Sequence, residues 1–158
     1  MSGPAPTSRP PESGYIESGA HHLPVRVYYE DTDFSGLVYH ANYLRFFERG
    51  RSDCLRCLGV RHAELLEGEN PTAFAVSRMT LEFRKPARID DALIVETRFL
   101  SWKGPRLRVQ QALKREDDVL VMAEVEVCCI SLTGRPKKPP ALLIERLKPV
   151  LDQSASTF

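Results

Sequence analysis

The sequence predicts an α+β domain in which a curled antiparallel sheet of about five strands wraps around one long helix. Three observations carry that prediction. A short alternating stretch opens it, with Val25, Val27 and Tyr29 in one phase and Arg26, Tyr28 and Glu30 in the other. A single amphipathic stretch over residues 40–58 follows, and strand signals then run from residue 74 to about residue 131. With 158 residues the chain can build one core, since a domain of this size buries roughly 68–70% of its unfolded surface.

Residues 1–22 hold Pro4, Pro6, Pro10 and Pro11 and almost no bulky apolar side chains. Burial there cannot offset the entropy of ordering, so the segment is expected to be a flexible extension. The domain proper is expected over residues 23–151, with a flexible tail at 152–158. Its first strand begins at Leu23 and stops at the turn Asp31-Thr32-Asp33. In the long helix Tyr43, Phe46, Phe47, Gly50, Cys54 and Leu58 recur at spacings of three and four, and Gly59 supplies the stop. A short helix is expected over residues 61–67.

Phe74, Val76 and Arg78 share one strand phase, whereas Met79, Leu81 and Phe83 share the other, which predicts a bulge near Arg78. Further strands are expected over residues 92–101, 107–114 and 119–131. Gly104-Pro105 and Glu116-Asp117-Asp118 separate them as hairpin turns, so these three form a meander. A basic, proline-rich exit from Arg135 to Pro140 leads into a terminal helix over residues 141–151.

Lys and Arg number 22 against 21 Asp and Glu, a net charge of +1, which argues against a chain built to coat nucleic acid or an anionic bilayer. No apolar run approaches the ~20 residues of a membrane span, and no secretory leader pattern opens the sequence. A cytoplasmic protein is the expectation. Cys54 and Cys57 form a C-x-x-C within the long helix, where core packing outweighs metal binding, and Cys128 and Cys129 point to opposite faces of one strand. No metal or cofactor is expected.

The segment between the first strand and the long helix holds the chemistry-bearing side chains. Val25-Arg26-Val27-Tyr28-Tyr29-Glu30-Asp31-Thr32-Asp33, then Gly36-Leu37-Val38-Tyr39-His40-Ala41-Asn42-Tyr43 and Phe47-Glu48-Arg49, strongly resembles the YbgC-type acyl-CoA thioesterases, close to the 4-hydroxybenzoyl-CoA thioesterases. The resemblance extends from about Pro24 to about Pro140, and its specific part lies in residues 25–49. It implies the hotdog fold, a dimer whose sheets join edge to edge and often pair again into a homotetramer, active sites at the subunit interface, and no metal. The commonest pattern has smaller residues where this chain has Phe34-Ser35, so Phe34 is expected to narrow or redirect the acyl pocket.

Hydrolysis of a thioester needs a base or nucleophile on one face of the carbonyl and stabilisation of the developing oxyanion. An isolated D-x-D ordinarily caps a turn. Within this motif Asp33 matches the family's catalytic carboxylate, able to activate water or to attack directly, while Asp31 is read as structural. The start of the long helix directs free N–H groups at the thioester oxygen, with the backbone of Tyr39 or His40 as the donor. The His40 side chain is a candidate to orient water, hold Asp33 or protonate the departing thiolate. His21, His22 and His62 are read as structural.

Glu48 is the rival carboxylate, but Arg45 and Arg51 sit at ion-pair spacing from it on the helix, which favours a structural role. Tyr43 is expected to line the pocket or the helix core. Of the basic residues, Lys103 and Arg106 occupy a place that resembles nucleotide-contacting positions in relatives, so both are carried as substrate-binding residues for coenzyme A.

The function expected is hydrolysis of short- to medium-chain or aromatic acyl-CoA, with an acyl-carrier protein as a further partner to consider. Two other classes compete: a hotdog hydratase or dehydratase of acyl thioesters, whose signatures are lacking here, and a binding module for acyl-CoA or acyl-carrier protein without turnover.

Overall fold

A computed structural model describes residues 11–152. Six strands form one sheet: β1 (Tyr15–Glu17), β2 (Ala20–Arg26), β3 (Ala73–Phe83), β4 (Ala92–Lys103), β5 (Arg106–Arg115) and β6 (Asp118–Ile130). Their spatial order is β1-β2-β4-β5-β6-β3, every pairing antiparallel. The predicted meander is therefore β4-β5-β6, with two-residue connections at Gly104-Pro105 and Glu116-Asp117.

The long helix, α1 (Asn42–Cys57), lies across one face, followed by α2 (His62–Leu66); α3 (Ala141–Leu147) closes the chain with a 3-10 turn at Lys148–Val150. Tyr43, Phe46, Phe47, Gly50 and Cys54 are buried on the inner face of α1, as their spacing predicts. They meet Leu23, Leu93, Val95, Val109 and Leu113 in the core. Gly59, at φ +82°, takes the left-handed conformation that ends the helix. The bulge predicted in the β3 strand is present as a register shift between Val76 and Arg78.

Two expectations need correction. The sheet has six strands rather than about five, because Tyr15–Glu17 pairs with β2. Order in the sheet also begins earlier than Leu23: Ser18 and Gly19 turn the chain at positive φ, so the short strand folds back on β2, which itself starts at Ala20. The remainder of the segments expected to be flexible, residues 1–10 and 153–158, lies outside the described residues. The architecture is otherwise the hotdog arrangement that the resemblance implies, with helix α1 cradled by the sheet.

Candidate active site

Residues 27–41 connect β2 to α1, and a buried carboxylate fixes their path. Asp31 accepts the Tyr28 N–H through Oδ2 and the Asn42 side-chain amide through Oδ1, each at 2.8 Å. Its carbonyl accepts the Tyr39 N–H at 3.0 Å. One residue thus ties the start of the loop, its end and the first turn of α1 together. An ionised carboxylate with several donors is stabilised without an ion pair. The structural role expected of Asp31 follows from these bonds.

Beyond Asp31 the chain makes a tight reversal. The Asp33 N–H donates to the Leu37 carbonyl at 2.9 Å, and the Gly36 N–H to the Asp33 carbonyl at 3.1 Å, with Gly36 at φ +80°. Val38 then bonds the Ala87 carbonyl at 2.9 Å, anchoring the reversal near the start of β4. The Asp33 side chain is left in solvent at the tip. Its Oδ1 accepts the Ser35 hydroxyl and, at 2.8 Å, the Ser35 N–H. The hydroxyl bond first, and then the N–H bond, hold the Asp33 carboxyl below the usual aspartate range. Oδ2 accepts no hydrogen bond among the described residues. At neutral pH Asp33 is therefore an ionised carboxylate with one oxygen fixed and one free.

The N-terminus of α1 lies against the same loop. Ala41 caps it with no side-chain hydrogen bond, so the first N–H groups are not covered by a serine, threonine or acidic cap. Of the two backbone donors expected from the sequence, that of Tyr39 is occupied by the Asp31 carbonyl. The His40 N–H has no acceptor among the described residues. Glu30, Thr32, Asp33, Tyr39, Ala41, Asn42 and Arg45 together line an open depression of about 370 Å³. A free carboxylate oxygen, a helix N-terminus and a guanidinium thus border one concavity.

The other expected site residues divide. The His40 ring is exposed and rests on Tyr39 with centroids 4.6 Å apart, and it does not hold Asp33. Tyr43 belongs to the core: its ring packs against Phe46 and Phe83, and its hydroxyl accepts the Ala87 N–H at 3.1 Å. Phe34 is wholly exposed, at 109%, and lines none of the cavities among the described residues. Lys103 and Arg106 flank the β4-β5 hairpin, at the far end of the 12-residue strand β4, roughly 35 Å long, from Ala87 and Arg88, which the Asp33 loop touches just before that strand begins. Within one chain they are not in reach of Asp33, and Arg106 faces Glu126 at 3.7 Å.

Glu48 makes no ion pair with Arg45 or Arg51 among the described residues. It lines a second cavity instead, while Arg51 donates to the Gln111 side chain at 2.9 Å. Cys54 is buried, as expected; Cys57 is exposed.

His21, Asp53 and Cys57 bring ligand-type atoms within 4.8 Å of one another. His21 is fully buried with Nε2 2.8 Å from Asp53, whose carboxylate also accepts the Ser13 hydroxyl and the Gly14 N–H. His21 Nδ1 has no hydrogen-bond partner among the described residues. Metal ligation through Nε2 would leave an N–H on Nδ1 buried and unpaired. The cluster suits a neutral imidazole donating to Asp53, so it clasps the N-terminal segment to α1.

Asn42, Asp53 and Gln111 had no assigned role in the sequence reading, and Arg51 was expected only as an ion-pair partner of Glu48. Gln111 carried a signal, because it stands in the same phase as Leu107, Val109 and Leu113, where an amide interrupts a core row.

Comparison with known proteins identifies relatives of this chain. The thioesterase-like superfamily profile matches residues 27–150. The acyl-CoA thioesterase YbgC of Haemophilus influenzae is 46% identical over 110 residues, covering 70% of this chain and 80% of that protein. The acyl-CoA thioester hydrolase YbgC of Escherichia coli O157:H7 is 40% identical over 127 residues, covering 79% and 93%. Among solved structures, a probable thioesterase from Bartonella henselae superposes with a TM-score of 0.74 at 41% identity, covering 77% of this chain and 99% of that one.

Proposed function

The chain belongs to the thioesterase-like superfamily, within its YbgC acyl-CoA thioesterases, and from that membership we propose that it hydrolyses acyl-CoA thioesters at the Asp33 depression. The observation that carries the reading is the pairing of a free, ionised Asp33 oxygen with the open N-terminus of α1 beside it.

In this reading the thioester carbonyl sits over the His40 N–H, and the positive end of α1 stabilises the oxyanion as it forms. The free oxygen of Asp33 takes a proton from an attacking water or adds to the carbonyl carbon itself. In the first route the tetrahedral adduct collapses to the free acid and CoA thiolate; in the second the thiolate leaves as a mixed anhydride with Asp33 forms, and a water then splits the anhydride to free acid and restores the carboxylate. The His40 imidazole, which rests on Tyr39, takes the role of protonating the leaving thiolate. Arg45, exposed beside the depression, offers its charge to a substrate phosphate. Lys103 and Arg106 serve the same purpose only when a second subunit brings its hairpin to this site. A homodimer or homotetramer fits the edge strand β3, where Val76 and Phe83 are exposed.

Among the described residues no helix is long and apolar enough to cross a membrane, in keeping with a substrate met in solution. Acyl-carrier protein is a second carrier to test.

Thiol release from a panel of acyl-CoAs tests the assignment. Asp33→Ala and Asp33→Asn are expected to lower kcat by about 10²–10⁴-fold with the fold intact by circular dichroism. Near wild-type turnover in both variants would remove Asp33 from the mechanism. Tight acyl-CoA binding without thiol release would make the protein a carrier instead.

A further inference from the structure

A second cavity, of about 280 Å³, lies beside α1 between the helix and the sheet. Leu55, Leu66, Phe74, Phe99, Leu107 and Leu143 give it apolar walls, and Glu48 and Arg51 bring it charge. Its volume is near the lower end of the ~300–1,000 Å³ typical of small-molecule sites, room for an acyl group but not for a nucleotide.

The cavity shares a face of α1 with the Asp33 depression. Ala41 and Arg45 line the depression, and Glu48, Ser52 and Leu55 line the cavity. The spacings of four, three, four and three residues form one stripe along the helix. A substrate held at the helix start therefore has its acyl tail aligned with this stripe.

Arg51 is held at the cavity by a buried polar network. Gln111, 1% exposed, donates to the Phe47 carbonyl at 2.8 Å and to the Thr97 hydroxyl at 2.9 Å. Its remaining oxygen accepts one N–H of Arg51 at 2.9 Å. A guanidinium carries five N–H donors, and this is the one hydrogen bond Arg51 makes among the described residues. No carboxylate forms a direct ion pair with it there, although the charge of Glu48 acts on it. A network that uses a buried amide to fix a partly desolvated guanidinium against an apolar cavity leaves donors facing whatever enters.

A purely apolar tail would leave those donors unmet, at a cost in affinity. A carboxylate would meet them but would also face the like charge of Glu48. A hydroxyl does both jobs, accepting from Arg51 and donating to Glu48. The Gln111 amide that holds Arg51 also holds the Phe47 carbonyl, and Phe47 lies seven residues beyond His40, or about 10 Å along the helix at 1.5 Å per residue. With C–C bonds of about 1.5 Å in a zigzag, roughly eight to ten carbons span that distance.

We propose that this cavity is the acyl-tail site and that it selects a medium-length acyl group ending in a hydroxyl, with Arg51 as the specificity-determining residue. The inference rests on thioester hydrolysis at Asp33, and the test separates the two.

Initial rates are measured with acetyl-, octanoyl- and 8-hydroxyoctanoyl-CoA for wild type, Arg51→Met and Leu66→Trp. Wild type is expected to favour 8-hydroxyoctanoyl- over octanoyl-CoA by about tenfold or more in kcat/KM, and Arg51→Met to bring that ratio near one. Leu66→Trp, at an exposed rim position, keeps the assay informative if Arg51→Met fails to fold. It should lower the ratio of octanoyl- to acetyl-CoA turnover by about tenfold. Hydrolysis of both eight-carbon substrates with equal efficiency, or an unchanged preference in Arg51→Met, overturns the tail site and leaves hydrolysis standing. Failure to release thiol from all three substrates overturns the hydrolytic reading itself.

Discussion

Ser35 governs the charge state of Asp33 more than any other residue, because its hydroxyl and its N–H both donate to the same carboxylate oxygen. Donors that bond the ionised form favour it, so the folded pKa lies below the ordinary value near 3.9. The ionised form is thus kept to lower pH than in an unstructured peptide and is lost only as pH falls through the depressed value. Ser35→Ala removes the hydroxyl, the larger of the two contributions. Its Asp33 carboxyl, followed by NMR titration, is expected to titrate at higher pH than in wild type, nearer 3.9; coincident curves would mean that the reversal at Gly36 sets the charge state. From the sequence, Asp33 was legible because its motif is specific. Ser35 was not, since a serine two residues after an aspartate bonds it only when the chain turns there.

At the scale of elements, α1 depends on the smallness of Gly50. A Cβ there would lie 2.6 Å from Val95 Cγ1 and 3.1 Å from both Gln111 Nε2 and Thr97 Oγ1. Alanine would gain up to ~1 kcal/mol in helix propensity over glycine. Against that, Val95 is a β-branched, fully buried neighbour that cannot turn aside, and overpacking of this kind costs about 1–3 kcal/mol. The clash also falls on the network that holds Arg51. Gly50→Ala is therefore expected to destabilise the protein by a net ~1–2 kcal/mol in denaturant unfolding, whereas a gain in stability would mean that α1 shifts freely on the sheet. Helix and meander were legible because apolar periodicity reports directly which face is buried. The N-terminal strand was not: three residues, Tyr15–Glu17, are too few to establish a period, and they are fixed by pairing with β2. Nor could spacing alone tell that Arg51 prefers the Gln111 amide to Glu48, since that choice depends on a strand sixty residues away.

Across the whole molecule, the N-terminal segment is joined to the core by a pair that titrates. Ser13 and Gly14 bond Asp53 on α1, and Gly14 lies so close that a Cβ would meet the His22 carbonyl at 2.2 Å and Asp53 at 2.9 Å. His21, beneath them, is fully buried; burial lowers its pKa even though Asp53 works in the opposite direction, and the neighbouring His22 adds a small push downward. Asp53 is itself held below the usual aspartate range by its bonds to Gly14, Ser13 and His21, which together outweigh its burial. The sign is the same for both. A group whose folded pKa is depressed binds its proton more readily in the unfolded chain, so acid favours unfolding. The Asp53 contribution is present above about 3.9 and lost as pH falls through its lower folded value, whereas that of His21 begins to fail as pH drops below about 6.5. Loss of stability between pH 7 and 5 is thus expected to belong mainly to His21. Thermal melts across that range should show Tm falling in wild type, with a flatter profile in His21→Gln, which keeps an amide near Asp53 but does not titrate there. Parallel profiles in the two proteins would assign the loss to groups outside the clasp. The protection factor of the Gly14 amide, its exchange rate taken relative to the intrinsic rate at each pH, should fall in step with the wild-type Tm, because its N–H bond to Asp53 opens when the histidine beneath takes up a proton for which Nδ1 has no acceptor among the described residues.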